Sequence, residues 1–88
     1  MASAFVQNIR PVRNGGNQCI VTATCFFWGT ELSGDINGTP QELTFTIGLN
    51  YSLADLKAAL VQAVQDQATA LGFSVAAADI NLTSYETG

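Results

Sequence analysis

The chain has 88 residues, 48% of them hydrophobic and 11% charged, with a net charge of −4 and no histidine. That length supports one domain with a modest core, residues 1–88 as a single body, and leaves no room for a second. The three basic residues, Arg10, Arg13 and Lys57, are too few to neutralise a run of phosphates, so nucleic acids and anionic membranes are disfavoured as partners.

The seven acids are spread along the chain, which also argues against an acidic face that mimics DNA. With so few charges, the surface falls to Thr, Asn, Gln, Ser and Gly, a composition suited to packing against other protein.

Taken in chain order, "MASAFVQNIRPVR" lacks the apolar core after basic residues that marks a secretory signal. No apolar run approaches the ~18 residues of a membrane span. Residues 1–13 hold Phe5, Val6, Ile9 and Val12 in loose order. They read either as an edge strand, the position to which Pro11 confines them, or as an N-terminal arm that adds a strand to a neighbouring subunit. "NGGN" follows as a hairpin turn.

"QCIVTATCFFWGTEL" is dense in β-branched and aromatic residues and predicts a long strand. Cys19 and Cys25 on it lie about 20 Å apart at ~3.3 Å per residue. A disulfide needs Cα atoms within ~7 Å, so both read as buried thiols, in keeping with a reducing compartment. "SGDINGTPQ" carries turn chemistry in Asn37-Gly38 and Pro40. "ELTFTIGL" then alternates, with Leu43, Phe45, Ile47 and Leu49 on one face, and should close a hairpin with the preceding strand.

"YSLADLKAALVQAVQDQATALG" predicts a helix over 52–72. Ser52 and Asp55 make a capping box, Tyr51 and Leu56 a hydrophobic staple, and Gly72 the stop. Leu53, Leu56, Leu60, Val64, Ala68 and Leu71 form its single apolar stripe. "FSVAAA" fits either coil or a helical turn, and "DINLTSY" predicts a short final strand through Ile80 and Leu82. The order β-β-β-α-β implies an α+β domain: a mostly antiparallel sheet of about four strands with one amphipathic helix on one face. A right-handed crossover should set the last strand parallel to the first or third.

One helix covers one face of a sheet, and the apolar side of "ELTFTIGL" must take it. With the hairpin loop centred near Asn37, Cys25, Phe27 and Gly29 share the core face with Leu49, Ile47 and Phe45. Phe26 then points outward opposite Gly48, which it would shield, and Trp28 points outward opposite Thr46. Trp28 has the large amphipathic ring typical of interface anchors. Trp28, Phe26 and Leu32, together with Phe5 and Ile9 of the N-terminal segment, are the candidate interface residues.

Catalytic equipment is missing from the sequence. Without histidine the usual general base and metal ligand are gone. The cysteines match no zinc or C-x-x-C spacing, and no phosphate-binding glycine motif occurs. "GDINGT" places Asp35 and Asn37 near calcium-loop spacing, but its glycine comes at the fourth position and no bidentate Glu follows. Lys57 stands alone on a polar helix face. The expectation is therefore no enzyme, no cofactor and no metal.

The Ala/Thr/Asn/Gly/Gln-rich composition, the single lysine and the helix-on-sheet body together resemble small structural proteins of tailed-phage virions. The resemblance implies a non-enzymatic assembly subunit, such as a capsid decoration or tail component. Its partners would be protein, through self-association or a larger assembly, and its place the virion or host cytoplasm. The alternative is a small acidic inhibitor or adaptor, of the anti-defence type, that binds a single host protein.

Overall fold

A computed structural model of the chain describes residues 2–82. The elements are β1 (Ser3–Arg13), β2 (Gln18–Trp28), β3 (Pro40–Gly48), α1 (Leu53–Leu71), a 3₁₀ turn (Ala77–Asp79) and β4 (Ile80–Leu82). The strands form one sheet in the order β3-β2-β1-β4, and α1 packs against it, giving the expected α+β architecture. β4 runs parallel to β1, one of the two arrangements the crossover allows. "FSVAAA" divides into an irregular stretch and the start of the 3₁₀ turn. The end of "DINLTSY", from Thr83 to Tyr85, lies outside the described residues.

The β1–β2 turn uses Gly15 (φ 76°) and Gly16 (φ 59°), left-handed positions that match the twist of a tight hairpin. β1 is paired with β2 along nearly its whole length, and Ala4, Val6 and Ile9 enter the core, so the chain's own sheet takes up the N-terminal segment. β4 flanks only Ala4–Val6 of β1. Beyond Val6 no described strand pairs with that side of β1, and Pro11 lies there. Because Asn14 N–H donates to Gln18 O at 3.0 Å, the ladder's alternation turns the Pro11 nitrogen to the open side, where a missing N–H costs no pairing.

One irregularity decides which residues of β1 face the core. Asn8, at φ 56°, sits in the left-handed region, and the register slips between Gln7 and Arg10, so Asn8 and Ile9 together oppose Ala23. This β-bulge inverts the alternation. Phe5 and Gln7 face outward before it; Arg10 and Val12 face outward after it. Ile9 therefore turns inward, at 7% exposure, although its odd number groups it with Phe5 in an unbroken strand.

The ends of α1 follow the sequence closely. Asp55 N–H donates to Ser52 Oγ and Ser52 N–H to Asp55 Oδ2, both at 3.1 Å, and Gly72 closes the helix at φ 97°. Leu56, Leu60, Val64 and Ala68 are buried, whereas Leu53 is 59% exposed, a departure from the predicted stripe. Leu56 joins the core and Tyr51 packs against it at that end, whereas Leu53 does not. After the helix, Gln65 Nε2 donates to Val75 O at 3.1 Å and holds the returning chain, which brings Phe73 edge-on to Phe27 with ring centroids 5.0 Å apart.

Candidate interaction surface

The β2–β3 loop runs from Gly29 to Thr39, so its centre falls near Ser33 rather than Asn37. Every β2–β3 pair is displaced from the expected one: Phe26 lies opposite Pro40, and Gly48 lies opposite Gln18. The displacement is an even number of residues, so each side chain keeps its face. Val21, Ala23, Cys25 and Phe27 are buried toward the helix, while Thr22, Thr24, Phe26 and Trp28 point away from it.

The two faces thus differ sharply. The outward face is threonine-rich in its middle rows, where Thr22 and Thr44 are paired, with Arg10 and Glu42 as charged neighbours. Its aromatic residues gather at one end. Phe5 opposes Phe26, Phe26 in turn opposes Pro40, and Trp28 lies one row beyond, opposite Ser3. Phe5 is 43% exposed and Trp28 46%.

Phe26 does not shield Gly48, which has open space above it. The aromatic-over-glycine contact is made instead by Trp28. β3 begins opposite Phe26, so no β3 residue stands beside Trp28. The loop curls back to fill that place: Gly38 N–H donates to Phe27 O at 2.8 Å, and Gly29 N–H to Asn37 Oδ1 at 3.2 Å. Gly38 adopts φ 76°, and a Cβ there would lie 2.7 Å from Trp28 Cη2 and 2.9 Å from Cζ3. One side of the indole therefore rests on the loop backbone, and the other is left to solvent.

Gly38→Ala should consequently destabilise the fold by ~1–2 kcal/mol, from left-handed strain alone, and should lift the indole. Thermal melts and a red shift of Trp28 emission would register both effects. Emission unchanged in a destabilised variant would separate the strain from the ring contact.

Of the five candidate residues, the fold brings Phe5, Phe26 and Trp28 to one end of one face. Leu32 packs against the core cluster from the loop, and Ile9 is buried, so these two do not extend the outward patch. The sequence reading missed Pro40, which extends the apolar row past Phe26, because it counted that residue as turn chemistry.

Both cysteines are free and buried. Burial pushes the Cys25 thiol from its ordinary value of 9.0 up to about 12, since an apolar interior disfavours the thiolate. No described helix is long and apolar enough to cross a membrane. Comparison of the chain with family models, with curated proteins and with solved structures found no match.

Proposed function

We propose that this protein is a non-enzymatic structural or assembly subunit that acts by packing against other protein, with the outward sheet face around Phe5, Phe26 and Trp28 as its docking surface. A virion component, such as a capsid decoration or tail element, is the specific form of this reading, with the virion or host cytoplasm as its location. The observation that carries it is that no described helix covers the sheet face opposite α1, together with the aromatic cluster at one end of that face. A solvated face is ordinarily lined by small polar residues, as the threonine rows are; half-exposed aromatics beside a proline form the kind of patch that interfaces bury.

Trp28→Ala combined with Phe5→Ser removes most of the exposed aromatic surface without touching the buried face. The double variant should remain folded at a cost of about 1–3 kcal/mol, from the covered half of each ring, and should lose incorporation into purified particles or higher oligomers. Mass spectrometry of particles and light scattering provide the readouts. Normal incorporation by the double variant would overturn the docking surface, and stoichiometric capture of one host protein would favour an inhibitor or adaptor over a structural subunit.

A further inference from the structure

Among the described residues the sheet has two unpaired edges, and the chain treats them differently. The open part of β1 is interrupted by the bulge at Asn8, carries Pro11 with its nitrogen facing outward, and is flanked by Arg10 and Arg13. These are the devices by which proteins keep an edge from pairing. β3, the other terminal strand, is nine residues long and has no bulge; Glu42 is its one charge, and Pro40 stands at its first position.

The hydrogen-bonding phase of β3 follows from one contact. Leu49 N–H donates to Asn17 O at 2.8 Å, so odd-numbered residues turn their polar backbone toward β2. Glu42, Thr44, Thr46 and Gly48 then turn theirs to the free edge, and no other described strand pairs with it. We infer that this edge pairs antiparallel with the same edge of a second copy, about a two-fold axis at Thr44, joining two four-stranded sheets into one of eight.

Three features of the strand argue for a copy of itself as the partner. First, an axis at Thr44 gives full overlap, because Thr44 is the midpoint of Pro40–Gly48. About eight main-chain hydrogen bonds result from the alternation of outward groups. Second, this register sets Pro40, which lacks an N–H, against Gly48 of the second copy. The Gly48 carbonyl already accepts from Tyr51 N–H at 3.2 Å, so the absent donor meets the acceptor that does not need one.

Third, the side chains match across the axis. Glu42 faces Thr46 of the other copy instead of a second Glu42, so no like charges are opposed. On the helix side, Leu43 of each copy faces Phe45 of the other. Phe45 and Leu43 line a groove of about 440 Å³ between β3 and α1, with Ala63, Asp66 and Gln67 on its helix wall. The pairing lays an apolar side chain of the second copy alongside that groove, and both helices fall on the same face of the joined sheet.

This surface is separate from the outward aromatic cluster, so the two proposals fail independently. Light scattering over a concentration series to about 1 mM, the weak end of specific affinities, should show the 9.3 kDa chain doubling in mass. Thr44→Pro removes an N–H that faces the free edge, so no bond to β2 is lost. Thr44→Lys leaves the backbone unchanged and opposes two ammonium groups at the axis. Both variants should remain monomeric and folded, while Trp28→Ala should dimerise as the parent does.

Amide exchange supplies a second readout. The N–H groups of Glu42, Thr44 and Thr46 should be protected in the dimer and exchange freely in Thr44→Lys, whereas those of Leu43 and Phe45 stay protected in both. A parent chain that is monomeric throughout, a dimer that survives Thr44→Lys, or a dimer lost in Trp28→Ala would each overturn the inference.

Discussion

Phe27→Ala should cost ~3–5 kcal/mol, the range for deleting a buried phenylalanine ring, out of the ~5–15 kcal/mol that holds a domain folded. Phe27 has no exposed surface and meets Phe73 edge to face at 5.0 Å. Its neighbours explain why the loss should fall in the upper part of that range. Ala4 lies directly across the ladder, and its single methyl is too short to reach into the cavity the ring would leave. Phe26→Ala, one residue away on the outward face and half-buried there, should cost less, about 1–2 kcal/mol. Urea denaturation with an unchanged slope measures both. A larger loss for Phe26→Ala than for Phe27→Ala would mean that β2 presents its other face to the helix.

The second large effect is a loss of stability in alkali that depends on Cys25. In the folded protein its thiol stays protonated up to about pH 12, whereas the unfolded chain ionises it near its ordinary 9.0. Below pH 9 both states hold the proton, and the group contributes no pH dependence. Between the two values the unfolded state binds fewer protons than the folded one, so stability falls as pH rises. At ~1.4 kcal/mol for each pH unit across that window, the loss is on the order of 4 kcal/mol by pH 12. Denaturation curves for the parent and Cys25→Ala from pH 8 upward isolate this contribution from that of the other titrating groups. The parent should lose ground steadily against the variant above pH 9, and parallel curves would contradict a buried, protonated thiol.

Much of this architecture was legible because it depends on local pattern. The Ser52–Asp55 capping box, the Gly72 stop and the 3.6-residue stripe from Leu56 to Ala68 are short-range features, each complete within a few residues. The outward orientation of Phe26 and Trp28 was legible for a related reason. Strand alternation has a period of two, and any even error in register preserves it. The pairs expected for Phe26 and Trp28 were wrong while their faces were right.

What escaped the sequence reading were the features fixed by distant segments. Asn8 resembles Asn14, Asn17 and Asn50 as a residue type, and only closure of the sheet against β2 makes it the bulge that sends Ile9 inward. Asn37-Gly38 does adopt a left-handed turn, but one that folds the loop back onto Phe27 and Trp28 instead of marking the hairpin tip.

The sequence by itself determined the element order, the helix and its caps, the inward side of β2 and β3, and the scarcity of charge. Those follow from residue type and spacing, which act over one or two turns of chain. Tertiary structure alone decided the phase of β1 after Asn8, the covering of one side of Trp28 by Gly38, and which edge of the sheet was left without a guard. Each of these depends on where segments far apart in sequence meet, and the register of a sheet is a property of the pair of strands rather than of either one.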